Sequence, residues 1–411
     1  MAVKINRLVA AVAFGLVAAG IFVPIFPEAA AQDSFYIPHA PIRINGNSDF
    51  NELNGVSGGS GTEDDPYVIR GWEIDASRSD GIIVENTDAR LIIKDCRIRG
   101  GGDEHTGIWL KNVSNTEIEN VISIGDLYGF RLQDSSGVIV RSCTAARLNS
   151  EYADNDRWVS TYGIWLERSS KIEISGCAVY ENVCGIRLDD SDSNTIFNCY
   201  AYNNSKLKYG ILLYSSSDNT VSNCTAYQNY CGIYVYGDSF RNVIENCNVS
   251  GNIWRGIYVS EGSSSGSSTI SYGAARGASL LVAGEHSNLV RRNNIIDNME
   301  QAYDSCAGNT WRENYWSDYE GADMDSDGYG DIPHLIMGGS SADARPRMQP
   351  ISNAGCTDEV GAVEFDLYAP NPDDNDANST GGRIIPGFEA LFIISGVAVA
   401  AASIGIARRR R

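Results

Sequence analysis

Histidine and methionine are scarce in this chain, 4 and 5 among 411 residues, and neither forms a cluster. That scarcity argues against a soft-metal relay built from imidazole and thioether groups. Basic residues are also outnumbered, 32 against 52 acidic ones, leaving a net charge of −20. A phosphate backbone needs a basic surface, so nucleic acid is excluded as a partner. Acidity of this size favours solubility. Long apolar runs are absent from the middle of the chain, where apolar residues come in bursts of three to five, too short for helices.

What is present is a repeat. Gly163-Ile-Trp-Leu, Gly185-Ile-Arg-Leu, Gly210-Ile-Leu-Leu and Gly232-Ile-Tyr-Val are each followed 14 or 15 residues later by a cysteine, Cys177, Cys199, Cys224 and Cys247. The frame extends upstream through Gly81, Gly107 and Gly129 and ends at Gly256, at intervals of 26, 22, 34, 22, 25, 22 and 24 residues. A base period of about 22 with inserted loops marks a solenoid, propeller or array. Two or three short strands per period make one turn of a parallel β-helix, with equivalent residues of neighbouring coils about 4.8 Å apart. The expected fold class is therefore all-β, a right-handed parallel β-helix of about 22-residue coils with N- and C-terminal caps. No coil buries its own apolar face, so stability comes from stacking.

This arrangement predicts which residues line up. Ile186, Leu188, Ile196, Cys199 and Ala201 point inward. Cys96, Cys143, Cys177, Cys199, Cys224 and Cys247 form one internal column, interrupted by Val121, and behave as small buried hydrophobes. Stacked cysteines have parallel Cβ vectors, which does not suit a disulfide, so the thiols are expected mostly free. Asn182, Asn204, Asn229 and Asn252, five residues after each cysteine, stack their amides from turn to turn.

In chain order, residues 1–31 read as a signal peptide: Lys4 and Arg7, an apolar core from Leu8 to Phe26, and Ala29-Ala30-Ala31 before Gln32. Residues 32–80 read as an N-terminal cap and first coil, covering an edge that would otherwise template aggregation. Coils fill 81–316, with long insertions at 149–160 and 261–284. Residues 317–352 read as a C-terminal cap. Within it Asp323, Asp325, Asp327 and Asp331, with Gly328 for a sharp turn and the carbonyl of Tyr329, have the spacing of a calcium loop. His334 stands where an EF-hand has its bidentate glutamate, so Ca2+ is expected without that motif. Residues 353–385 are an acidic linker containing the sequon Asn378, the best placed of five; the others are Asn112, Asn203, Asn223 and Asn248. Residues 386–411 hold Pro386-Gly387-Phe388, an apolar stretch from Ala390 to Ala407 and four arginines, a candidate membrane tether.

The coils, the opening Gly-Ser-Gly-Thr-x-x-Asp-Pro-Tyr-Val-Ile and the closing Asn314-Tyr-Trp-Ser-Asp-Tyr with Asp-x-Asp-Gly-x-Gly-Asp resemble the NosD-like right-handed β-helix proteins common on archaeal surfaces. The tail with Pro386, Gly387 and Phe388 resembles the PGF-CTERM sorting signal, which implies processing by an archaeosortase and transfer to a membrane lipid. The NosD resemblance also implies copper delivery, to which the four histidines and the inward cysteines lend little support.

If Ile186 and Leu188 point in, alternation turns two rows outward. One is Ile83, Trp109, Arg131, Trp165, Arg187, Leu212, Tyr234, Tyr258; the other is Glu85, Lys111, Gln133, Glu167, Asp189, Tyr214, Tyr236, Ser260. Stacked aromatics interleaved with charge suit sugar rings. The candidate glycan-binding residues are Trp109, Arg131, Trp165, Arg187, Tyr234, Tyr236 and Tyr258, on an exported, surface-anchored protein meeting envelope polysaccharide and surface-layer proteins. An enzyme is the alternative, with Arg187 binding a uronate carboxylate and Glu167 and Asp189 as acid and base. A similar residue mix recurs along the whole row, which favours binding.

Overall fold

The computed structural model describes residues 36–147, 160–204, 209–261, 286–352 and 354. Residues 1–362 form one compact unit, and the second, 363–411, lies wholly outside the described residues. The first unit is a right-handed parallel β-helix whose three faces have 10, 13 and 11 strands among the described residues. One coil shows the plan. Cys184–Asp189 lies on the first face, Thr195–Phe197 on the second and Tyr200–Tyr202 on the third. Each pairs in parallel with its counterpart one coil on: Ile186 with Ile211, Ile196 with Val221, Ala201 with Ala226.

The corners explain the sequence between strands. The residue before each column cysteine, or before Val121, has left-handed backbone: Asp95, Asn120, Ser142, Gly176, Asn198, Asn223 and Asn246 at φ from +50° to +59°. Gly, Asn and Asp tolerate that region better than other residues, which accounts for six of these seven positions, all but Ser142. Ile186, Leu188, Ile196, Cys199 and Ala201 are fully buried, as the repeat requires. The ends are covered by antiparallel pairs, Val56–Gly58 with Tyr67–Arg70 and His334–Leu335 with Ala342–Asp343.

The six column cysteines are buried, and none of the nine described cysteines is in a disulfide. Each column thiol bonds locally; Cys199 Sγ donates to the Phe197 carbonyl at 3.3 Å and Cys224 Sγ to that of Ser222 at 3.3 Å. Burial pushes the Cys96 thiol up to about 11, away from the reactive thiolate. The inward assignment does not extend to every cysteine. Cys184 and Cys231 are buried in a second apolar cluster on the outer side of the first face. The column ends in polar residues, since Cys247 N–H donates to Asn293 Oδ1 and Asn293 in turn meets Asn314.

The asparagine ladder is present and longer than the repeat alone indicates. Asn229 Oδ1 accepts from the Asn204 backbone N–H at 3.1 Å, while Asn229 Nδ2 donates to the Ala201 carbonyl at 2.9 Å and to Asn252 Oδ1 at 3.2 Å. The run continues from Asn252 to Asn298. A second ladder, Asn194, Asn219, Asn242 and Asn288, lines another corner in the same way. The repeat glycine belongs to the first ladder: a Cβ on Gly210 would lie 2.6 Å from the Gly232 carbonyl oxygen and 2.7 Å from Asn229 Nδ2. Close approach, rather than unusual φ, is what demands glycine there.

Asp126 holds the ladder position in an early coil, five residues after Val121. Its carboxylate, 3% exposed, accepts from Gly101 N–H at 2.7 Å and Ser123 Oγ at 2.6 Å, yet burial outweighs both and pushes its pKa up to about 6.

Two outcomes are expected. Asn229→Ala orphans the Asn204 N–H and the Ala201 carbonyl, and a loss of about 3 kcal/mol in chemical denaturation checks it. For Asp126, the folded state holds the proton more tightly than an unfolded chain near 3.9, so its contribution is full below about pH 4 and is lost as pH rises through about 6. Asp126→Asn therefore gains on the wild type between pH 5 and 8, by on the order of 2 kcal/mol. An advantage independent of pH in paired denaturation curves contradicts this.

Candidate functional site

The first face carries the predicted rows on its outer side. Tyr128↔Tyr162, Arg131↔Trp165, Trp165↔Arg187, Leu212↔Tyr234 and Tyr234↔Tyr258 are register partners on successive strands. Backbone pairing alone thus sets the side-chain stacking. The rows are not uniformly open. Ile83, Leu212, Tyr234, Glu85 and Ser260 are buried, whereas Trp109, Trp165, Tyr236 and Tyr258 are half-buried and Tyr214 is exposed. Tyr234 corrects the expectation most clearly: at 7% exposure it lies stacked on Tyr258, 4.3 Å between ring centroids, with its hydroxyl 2.9 Å from Ser260 Oγ. It supports the surface rather than presenting one.

Sequence alternation missed a third row. Tyr128, Tyr162 and Tyr209 precede the repeat glycine, and strict period two would turn them inward with Ile164 and its equivalents. A Cβ on Gly163 would instead point into the interior beside Val179, so glycine and isoleucine share the inner side and alternation breaks at that bulge-like step. These tyrosines belong to the outer cluster with Cys184, Leu212 and Cys231. The signal available in sequence was an aromatic or cysteine directly before the repeat glycine in five consecutive coils, Tyr128, Tyr162, Cys184, Tyr209 and Cys231.

Arginines fill the gaps. Arg131 stacks between Trp109 and Trp165, 4.7 and 4.5 Å from their centroids, and pairs with Glu167 at 2.8 Å. Arg187 stacks on Tyr162 at 4.9 Å and donates through Nε to both oxygens of Asp189, at 2.9 and 2.8 Å. Trp165 Nε1 donates to the same carboxylate at 2.9 Å. Arg255 packs among Trp254, Tyr258 and Tyr303.

The alternative catalytic trio, Glu167, Arg187 and Asp189, is adjacent but engaged. Glu167 and Asp189 are register partners on neighbouring strands. Burial would raise Glu167, but the Arg131 and Arg168 guanidiniums prevail and hold it below the usual range. A carboxylate so held is a poor general acid near neutrality. Asp189 is taken up by Arg187 and Trp165, and Arg187 by Asp189 and the Tyr162 hydroxyl at 3.0 Å.

In the C-terminal cap, Asp323, Asp325 and Asp327 bring carboxylate oxygens within 4.8 Å of one another. Gly328 turns there at φ +88°. Asp331 accepts from Met324 N–H at 2.6 Å, Tyr329 N–H donates to Asp327 Oδ1 at 2.9 Å, and the Tyr329 ring lies under Arg345, 3.9 Å away. Arg345 also pairs with Asp327 at 2.6 Å and lowers its pKa. His334 stacks on Trp316, 4.3 Å between centroids. Most of the insertions at 149–160 and 261–284, the sequon Asn378, the tail Pro386, Gly387 and Phe388, and the N-terminal segment lie outside the described residues. Among the described residues no helix is long and apolar enough to cross a membrane.

Comparison with known proteins shows where such a chain belongs. Among solved structures it is similar to pectate lyase Pel9A, at 11% identity and a TM-score of 0.43, covering 84% of this chain and 94% of that one. It is similar also to the A-module of the Azotobacter vinelandii mannuronan C-5 epimerase AlgE4, at 14% identity and a TM-score of 0.41, covering 68% and 85%. The periplasmic alginate epimerase AlgG matches at 15% identity and a TM-score of 0.38, covering 61% and 77%. At these levels the likeness concerns the solenoid fold alone. No curated protein sequence matches. The sequence profile described as "Periplasmic copper-binding protein (NosD)" matches residues 41–198 and 147–321, together most of the solenoid. The chain belongs to the NosD family of parallel β-helix proteins.

Proposed function

We propose that this is an exported, cell-surface β-helix protein whose first face binds a polysaccharide chain without cleaving or epimerising it. The observation that supports the reading is the outer row of half-buried aromatics, Trp109, Trp165, Tyr236 and Tyr258 with exposed Tyr214, held in register by strand pairing. Aromatic faces take the apolar faces of sugar rings, and a ladder of them suits an extended polymer. Arg131 and Arg187, half-buried and paired to carboxylates, add polar edges suited to hydroxyl and uronate groups. The engagement of Glu167 and Asp189 favours binding over catalysis. Export and surface retention rest on residues 1–31 and on the sorting-type tail at 386–411, with surface-layer proteins as neighbours.

Copper, named in the family's description, fits the cysteine column poorly. Those thiols are buried and bonded to their own backbone. A Ca2+ ion at Asp323, Asp325 and Asp327 is the better fit for a hard cation and would act as a clasp on the C-terminal cap.

On arrays of acidic and neutral polysaccharides, the full-length chain is expected to retain a subset of glycans and to release neither reducing ends nor unsaturated uronate. Trp165→Ala and the exposed-site variant Tyr214→Ser are expected to weaken retention by about 10- to 30-fold and several-fold, respectively. Unchanged retention in both variants, or glycan turnover by the wild type, contradicts the proposal. Calorimetry is expected to find one Ca2+ site with a dissociation constant on the order of 0.1–1 mM, lost in Asp325→Ala.

A further inference from the structure

Independently of the glycan reading, one side-chain cluster remains unexplained where the late coils turn. Glu261 follows the strand Arg255–Ser260, His286 precedes Leu289–Arg291, and Cys306 follows Glu300–Asp304. Their donor atoms all lie within 4.8 Å of one another. A tetrahedral ion with bonds of about 2.0–2.3 Å places its donors about 3.3–3.8 Å apart, a small adjustment from this arrangement.

The positions are set by the solenoid backbone. Ser305 N–H donates to the Val259 carbonyl at 3.1 Å, and His286 N–H to that of Ala307 at 3.0 Å. Cys306 N–H donates to Asp304, a fully buried carboxylate that also takes Asn309 Nδ2 and Trp311 Nε1 at 3.0 and 2.8 Å. Cys306 is 4% exposed and His286 5% exposed, while the Glu261 side chain is 58% exposed and forms the open side.

The imidazole gives the second observation. His286 Nδ1 lies 3.2 Å from the Ser239 carbonyl oxygen, a pure acceptor, so Nδ1 must carry the hydrogen. That leaves the Nε2 lone pair facing Glu261 Oε1 at 3.5 Å. Two electron-pair donors so placed need a positive centre between them, either a proton or a metal ion. An Nδ1–H held by a backbone carbonyl is the usual outer-sphere support of a metal-binding histidine. Cys306 also lies outside the cysteine column, so the solenoid repeat does not account for it.

We propose that Glu261, His286 and Cys306 form a three-ligand site for a single borderline or soft transition-metal ion, with one position left open toward solvent. The mix of thiolate, imidazole and carboxylate is that of Zn2+. Binding moves the Cys306 thiol proton to solvent as the metal–sulfur bond forms, with no change of oxidation state.

The test uses the full-length chain, stripped with chelator and then titrated with Zn2+ or Co2+. One equivalent is expected to bind with proton release, and Co2+ is expected to give a thiolate-to-metal charge-transfer band in the near ultraviolet. Cys306→Ser is expected to abolish the band. His286→Gln and Cys306→Ser are each expected to weaken Zn2+ by at least the roughly 10- to 100-fold that loss of an outer-sphere partner costs. Glu261→Ala, at an exposed side chain, is expected to weaken it about tenfold. No stoichiometric binding by the folded wild type overturns the proposal and leaves a proton between His286 and Glu261. So does binding that survives both Cys306→Ser and Glu261→Ala.

Discussion

The structure depends on the hydrogen bonding of one coil to the next at its corners. Strands mostly of three to six residues provide few backbone bonds each, and the turns between them would otherwise strand buried N–H and C=O groups. Asn204, Asn229 and Asn252 solve this by each accepting from and donating to the backbone of the preceding coil, while their amides bond on to one another along the stack. Buried networks of this kind are stabilising when every member is satisfied and costly when one is missing. The repeat glycine follows from the ladder, because the packed amide leaves no room for a Cβ.

That constraint fixes everything outside the coil. Once register is set, residues of the first face stack at the inter-strand spacing and a row of similar residues becomes a continuous strip. The outer cluster is thus a by-product of stacking that sequence variation has filled with Trp, Tyr and Arg. The arginines serve two partners each, an aromatic face and a carboxylate, so the strip is polar at its edges without leaving unpaired charge in its depth. The same pairing engages Glu167 and Asp189.

Much of this was legible in the sequence. The glycine frame and the cysteine and asparagine columns gave the coil, its period and its interior, because a repeated structure writes each constraint many times. The outer surface was less legible. Alternation assigned Trp165 and Tyr236 correctly to the outer side but could not show that Tyr234 is covered by Tyr258, and it failed for Tyr162 where the glycine places two successive residues inward. Calcium-loop spacing located Asp323, Asp325 and Asp327 together, with Asp331 bonded to the Met324 amide between them. The Glu261, His286 and Cys306 cluster had no local motif, since its members come together only through three separate coils.

The central claim, that the outer strip of the first face is a polysaccharide-binding surface, is most directly tested by hydroxyl-radical footprinting of the full-length chain with and without a bound oligosaccharide. The account predicts protection concentrated on Trp165, Tyr214, Tyr236 and Tyr258. Protection absent there, or found instead on the third-face tyrosines Tyr202 and Tyr227, would contradict it.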